Sequence, residues 1–586
     1  MKSAFDYIRK HKLLLLIILP AFFLYMLIIF PSGTFLCFKD ACGINFWGVH
    51  GHDAIWHLAI ANVSFNKFPF IAPTFSGENL YGYNYVLDFF IFLLSRIGIP
   101  SIISYFKIFP VVWFILFTCL LIILGRKIKD NPKFVGIFLF FNYFAGSFYY
   151  LIKLYREGSI NDSSTELPQP VMITMSNPPF AFSLLFLLWI LILLKDKKIT
   201  FRNILFIGIS IFFILGLKFY SIVSVFLVIT FIFLNLFTSL RSSSQERIKK
   251  KFLNMIRYEI KIFALYSFTI GIFVVLAILI FYDPIRSFKS GPVFGFAPFA
   301  LVHTITETPT MFYLQNMTDA RYYLMAHGIG PRLIGIEILN LTIFLFFYLG
   351  TRFFGLLYIP ILLLKRKLDK FDFSVILTIC FSIFLSVTLV QKAEWWNTIQ
   401  FFYYAIFLLT IYLAKLTFDL TENKKLLLNF IVLTVMFLSI PTTYDMIKFF
   451  LGIPGAAYIS KNEIDALNFL KRQPDGIVLT PLYNKQWKNY IKTNEIYAYE
   501  DTAYVAAFSG KQEYLANILQ LRLTGVSYEN RLRKVEKLDC SILNEVNYVY
   551  EISELENKDK IMIKCKPKNA KKIYDNGKIY IYSIMR

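Results

Sequence analysis

Residues Gly51-His52-Asp53-Ala54-Ile55-Trp56-His57 set a carboxylate between two imidazoles, shortly after the first strongly apolar run of the chain. Ionisable side chains beside membrane-length apolar sequence are costly unless they are used. In a helix over 52–66, Asp53 and His57 stand one turn apart on one face. Ile55, Leu58, Ala59 and Val63 then fall on the far side, suited to lie against lipid or a neighbouring span. Asp53 would face water from an interfacial helix, where partial desolvation tunes a carboxylate for general-base work. The same residues have plainer uses. Asp is a favoured helix N-cap, with His57 only packing. The pair could also hold a divalent metal, although two ligands at i, i+4 lack the third that such a site needs.

These residues must be positioned by a membrane body. Of 586 residues 57% are hydrophobic and only 17% charged, where a soluble domain has about a quarter charged. Apolar runs of spanning length recur from residue 13 to about 450, which predicts a polytopic α-helical membrane protein. The formal charge of +23 does not signal nucleic acid, because the basic residues cluster in short loops at 126–133, 195–202, 241–261 and 365–370. Such clusters beside spans mark the cytoplasmic side of a plasma membrane. Lys2, Arg9, Lys10 and Lys12 precede the first span, so the amino terminus is expected inside and the span uncleaved.

The expected spans are 13–30, 102–125, 134–152, 179–194, 203–217, 218–238, 262–282, 333–364, 373–390, 399–417 and 426–448, about eleven crossings. The apolar piece 85–98 is too short to cross and reads as interfacial or re-entrant. Outside then lie the loop 31–101, the segments 153–178, 283–332 and 391–398, and a tail of soluble composition. The chain divides into a transmembrane domain, 1–454, and an extracytoplasmic α/β domain, 455–586. In the tail, Ser460-Lys461-Asn462-Glu463 reads as a capping box. Residues 477–482, 504–508, 548–552 and 579–582 read as strands, and 511–521 as a helix. Cys37 with Cys42, and Cys540 with Cys565, could pair in an oxidising compartment.

One span followed by an outer loop bearing Gly51-His52-Asp53, Trp56 and His57 resembles the GT-C superfamily of membrane glycosyltransferases. Tyr81-Gly82-Tyr83-Asn84-Tyr85 stands where some of these enzymes carry a His-Pro-Pro stretch, a departure from their pattern. The loop is also similar to that of prokaryotic membrane proteins with a pyruvoyl-tetrahydropterin-synthase-related domain. The GT-C resemblance implies transfer of a sugar from a polyprenyl-phosphate donor to a glycan, lipid or protein acceptor, with inversion. It implies Asp53 as the base and a second acidic residue from the next outer loop, where Glu157 is preferred over Asp162 and Glu166.

A lipid-linked donor needs cations for its phosphate. The candidates are Lys153, Arg156, Lys218, Arg286, Arg321 and Arg332, with His52, His327 and Glu394 as further substrate contacts. Lys218 lies deepest in apolar sequence, and its plainer use is to snorkel. Two other functions fit the same layout: a transporter or flippase of lipid-linked glycans, and a non-catalytic cell-envelope scaffold acting through the tail.

Overall fold

The computed structural model describes residues 1–585 except 39–40, 164–173, 197–198, 244–248, 290–292, 392–394, 423–425, 452–454, 490 and 492–493. Among the described residues eight helices are long and apolar enough to cross a bilayer, from Lys12–Ile29 to Leu426–Phe450. A ninth candidate is a pair, Pro132–Phe144 and Tyr149–Glu157, bent by 48°. At that bend the freed amides of Gly146 and Phe148 donate to the carbonyls of Ser439 (2.9 Å) and Phe347 (2.7 Å). Broken backbone is tolerated at membrane depth only when protein satisfies it in this way.

Three further apolar helices, Pro178–Leu194, Phe201–Leu217 and Arg352–Leu364, are shorter. The piece 333–364, which with Arg352 inside it also reads as an interfacial segment followed by one crossing, is two helices, Pro331–Leu349 and Arg352–Leu364, parted at Gly350-Thr351. Arg352 starts the second one. Its guanidinium is buried and donates to Thr410 Oγ1 (3.0 Å) and Phe141 O (3.2 Å), so an interior bond network compensates the charge there. The region 203–238 divides at Lys218, as expected.

The basic loops at 126–133, 195–202 and 365–370 meet at one end of the helical body. Arg126 reaches Ser3 (3.0 Å), Lys195 reaches Asp369 (2.6 Å), and Lys129 stands 4.0 Å from Asp419. At the other end the first loop and the tail are built together. Strands β1 (Thr34–Phe38) and β2 (Ala41–Phe46) form a hairpin whose tip is bridged by Cys37–Cys42. A short pair, β3 (Phe294–Phe296) and β4 (Leu389–Gln391), joins two other loops. Tail strand β5 (Ala457–Ser460) pairs antiparallel with β2, Gly43 opposite Ser460 and Phe46 opposite Ala457.

The tail sheet contains β6 (Ile477–Leu479), β7 (Gln512–Glu513), β8 (Tyr548–Ile552), β9 (Ala570–Asp575) and β10 (Ile579–Ile584), in the order β7-β6-β8-β10-β9. Its first half is parallel and its second antiparallel. Two local expectations change. Tyr504–Ser509 is a helix, because Ala506 and Ala507 favour helix and it is buried on most sides, between the first-loop helix and the tail helix Lys461–Lys471. The stretch 511–521 opens instead as β7, and its helix is Ile518–Thr524. Ser460 does precede a helix, Lys461–Lys471, but its hydroxyl donates to the Glu463 carboxylate (3.4 Å) rather than capping an amide.

Candidate active site around Asp53

The first-loop helix runs Asp53–Val63 and is buried on nearly every side. Ile55, Leu58, Ala59 and Val63 do not face lipid. All four are buried, in a helix that packs against the tail helix Tyr504–Ser509 and the helix Val86–Arg96. Asn62 clamps the first of these contacts by donating to Ala507 O (2.6 Å). The apolar face therefore anchors the helix between two protein layers, which fixes Asp53 at its amino end.

Asp53 does not cap that helix; the N-cap residue is His52, without a side-chain cap bond. Asp53 Oδ1 instead accepts from His52 Nδ1 (3.0 Å), and the Asp53 side chain keeps 47% of its accessible surface. Among the described residues no group bonds Oδ2. Burial presses the carboxyl pKa upward, but His52, His57 and Lys218 outweigh it and hold it below its usual value. Desolvation pulls the His52 imidazole down; the bond to Asp53 and the nearby charges of Asp53, Glu500 and Asp501 prevail and raise it to about 9. At neutral pH the pair is an imidazolium clamping an ionised carboxylate.

His57 faces another partner. Its Nδ1 lies 2.8 Å from Oδ1 of Asp88, a fully buried residue of the helix Val86–Arg96. The imidazole stacks on Tyr105 at 6.0 Å between centroids and meets Tyr83 at the same distance. His57 is therefore a positioned neighbour of Asp53 rather than its bonded partner. Asp88 was not anticipated, although a lone carboxylate inside the apolar piece 85–98 is the kind of residue that membrane energetics singles out.

Lys218 sits in the turn between Phe201–Leu217 and the 219–222 turn that starts the next span, only 9% exposed. A Cβ on Gly216 would come within 2.5 Å of Phe281 and Val86, so only glycine lets the turn approach so closely. Its ammonium lies 5.9 Å from the Tyr220 ring centroid, and among the described residues no carboxylate or other acceptor bonds it. Burial lowers its pKa to about 8 while Asp53 opposes that fall. A cation this deep without a bonded anion can receive one.

The other expected cations except Arg332 are engaged by protein groups. Arg156 donates to the carbonyls of Pro309 (2.9 Å), Met311 (2.5 Å) and Phe312 (3.2 Å), a structural clasp on that loop. Lys153 pairs with Glu157 at 3.0 Å. Arg286 stands 3.4 Å from Glu78 and over the Tyr81 ring. Arg321 binds both oxygens of Glu307 (2.5 and 3.0 Å) and lies 3.7 Å from Glu337, whose other oxygen holds His303 at 2.6 Å. His327 Nδ1 bonds Tyr323 O (2.8 Å), and Arg332 is exposed at the start of Pro331–Leu349. Asp162 uses its amide to reach Asp445 (3.1 Å). Glu166 and Glu394 lie outside the described residues.

A further unanticipated residue braces the loop. His50 Nε2 bonds Met175 O (2.9 Å), so that nitrogen carries the proton and Nδ1 accepts from the Ser32 hydroxyl (2.7 Å). Burial drives His50 down to about 4, leaving it neutral. For a divalent metal the donor set does not fit: among the described residues no three His, Cys, Asp or Glu side chains converge on one point.

No family model matches the chain, and no curated protein matches it in sequence. Solved structures do match in shape. The Archaeoglobus fulgidus oligosaccharyltransferase in its apo form is 12% identical, with a TM-score of 0.50 over 98% of this chain and 74% of that one. The Archaeoglobus fulgidus oligosaccharyltransferase AglB in complex with an inhibitory peptide and a dolichol-phosphate is 11% identical, with a TM-score of 0.49 over 93% and 70%. That archaeal enzyme has also been solved with Zn and sulfate, at 11% identity and a TM-score of 0.46 over 92% and 68%. No match speaks for the pyruvoyl-tetrahydropterin-synthase-related proteins. The chain shares the fold of an archaeal oligosaccharyltransferase.

Proposed function

We propose that the protein is a membrane glycosyltransferase that moves a sugar from a polyprenyl-phosphate-linked donor to an acceptor, with inversion, at the extracytoplasmic face of the plasma membrane. The observation that carries this reading is a carboxylate and a buried ammonium that each keep bonding capacity among the described residues. Nothing there bonds Asp53 Oδ2, and no anion bonds the Lys218 ammonium, which acts electrostatically on Asp53.

The acceptor hydroxyl or amide attacks the anomeric carbon from the face opposite the phosphate. The carbon–oxygen bond to phosphate breaks, its electron pair leaves on the lipid phosphate, and the acceptor proton passes to Asp53. Lys218 neutralises the leaving phosphate. His52 fixes the Asp53 rotamer. A phosphate bound at Lys218 also cancels part of the positive field that depresses Asp53, so the carboxylate becomes a stronger base when donor is present.

The orientation is supported by the disulfides Cys37–Cys42 and Cys540–Cys565 on the tail side, which suit an oxidising compartment. The basic loops gathered at the opposite end suit the cytoplasm. The test is reconstitution of the full chain in liposomes with radiolabelled polyprenyl-phosphate sugars and membrane extract as acceptor. Label transferred covalently, with release of polyprenyl phosphate, is the expected result. Translocation of intact donor with no covalent product would replace this reading with that of a flippase.

A further inference from the structure

The tail contains a cavity of about 530 Å3 that opens at the carboxyl ends of the parallel strands β6 and β8. Ligands of open α/β sheets bind at such ends, and the volume is in the usual range for a ligand site. One wall follows β6 through Leu482, Tyr483 and Asn484; the opposite side carries Ile542 and Val549. The bridge Cys540–Cys565 ties together two of the segments that frame it.

Glu551, near the end of β8, reaches this cavity while only 4% exposed. Its Oε1 accepts from Met562 N (2.9 Å), and among the described residues nothing bonds Oε2. A buried carboxyl with one oxygen open to a cavity is a polar group awaiting a partner. Burial raises its pKa, against the pull of the Met562 amide and Lys560.

That chemistry selects among ligands. An anion would meet Glu536, Glu551 and Asp559. A cation would meet Lys485 and Lys558 on the same lining. A neutral molecule with hydroxyls on its edge and C–H groups on its face satisfies both the carboxyl and the apolar wall. We infer that this cavity is a pyranose subsite holding one neutral sugar unit of a glycan, its hydroxyls on Glu551 and Asn484 and its C–H face on Tyr483.

The subsite is joined to the Asp53 region by its own wall. Thr480, Pro481 and Tyr483 also line a narrow crevice with Glu500 and Asp501, whose charges act on His52. Tyr483 donates its hydroxyl to Tyr499 O (3.3 Å), and the Tyr499 ring packs where a Cβ on Gly51 would sit, at 3.2 Å. Only the source of the sugar rests on the transferase reading: it belongs to the donor glycan or to a glycosylated acceptor.

The test is saturation-transfer NMR on the full chain in a sugar-free detergent, with methyl β-glucoside, methyl α-mannoside, methyl β-galactoside and N-acetylglucosamine as probes. At least one sugar is expected to receive saturation on its ring C–H protons. Leu482→Trp, which fills the cavity from its half-exposed wall, should cut that signal at least tenfold. Glu551→Leu should weaken it about as much, and Asp53→Asn should leave it unchanged whether or not transfer occurs. No saturation of any of the four sugars, or equal saturation in Leu482→Trp, overturns the subsite. In the reconstituted assay, a KM raised by Leu482→Trp for the donor alone assigns the sugar to the donor, and for the acceptor alone to the acceptor.

Discussion

His57 Nδ1 and Asp88 Oδ1 stand 2.8 Å apart with both side chains buried, joining the first-loop helix to the short helix Val86–Arg96. The pair braces the helix from which Asp53 projects, and it leaves Asp88 Oδ2 without a bond among the described residues. Removing one partner leaves a buried polar group without its bond. His57→Ala should therefore destabilise the protein by about 1–3 kcal/mol from that group alone. The paired replacement His57→Phe with Asp88→Leu should recover most of that loss. Denaturant melts of the detergent-solubilised variants check this, and equal losses in single and double variants would show that the pair is not coupled.

Lys218 gives the opposite signature. An unbonded ammonium in a buried turn costs stability, so Lys218→Met should raise the melting temperature. The same change should raise KM for a polyprenyl-phosphate donor at least tenfold, about 1.4 kcal/mol. Thermal melts and donor titrations separate the two effects. A lower melting temperature with unaltered KM would make Lys218 a helix-end anchor.

The bond between His52 and Asp53 sets a pH dependence. Folding raises His52 from 6.5 to about 9, so its stabilisation is complete below pH 6.5 and is lost as pH climbs through 9. The corresponding free energy is at most about 3 kcal/mol. Asp53 is depressed, so its share persists above the ordinary carboxylate range and is lost only in acid. Wild-type stability should fall between pH 6.5 and 9, and His52→Gln should flatten that slope. Melting temperatures across this range provide the measurement, and parallel slopes would remove His52 from the linkage.

The membrane body and the turn at Lys218 were legible because length, charge and apolar runs obey strong physical limits. Asp53 was legible for the same reason: an ionisable residue near a span stands out. Its surroundings were not. Asp88 lies 31 positions beyond His57, and Glu500 and Asp501 belong to the tail, so only folding brings them together. Arg156 and Arg321 look identical in sequence to free phosphate ligands. Carbonyls 309–312 and Glu307 engage them through contacts that local pattern cannot reveal. The helix Asp53–Val63 resembled a lipid-facing amphipath because its second cover, Tyr504–Ser509, comes from more than 400 residues away by number.

The junction of β2 and β5 offers a test of how the tail is held. A Cβ on Gly43 would lie 2.1 Å from Ile459 O, a backbone atom that cannot give way. Gly43→Val should separate β2 from β5 and loosen the cover over the first-loop helix. Limited proteolysis should then cleave near 452–460 faster than in wild type, and transfer should fall with it. Unchanged cleavage would show that the other tail contacts suffice.

The central claim is that Asp53 takes part in sugar transfer, and Asp53→Asn measures it most directly. In liposomes charged with polyprenyl-phosphate sugar, this variant should lose transfer by at least 100-fold, the scale expected of a general base. It should keep the melting temperature and donor affinity of a folded protein. Transfer at the wild-type rate by the folded variant would contradict the account.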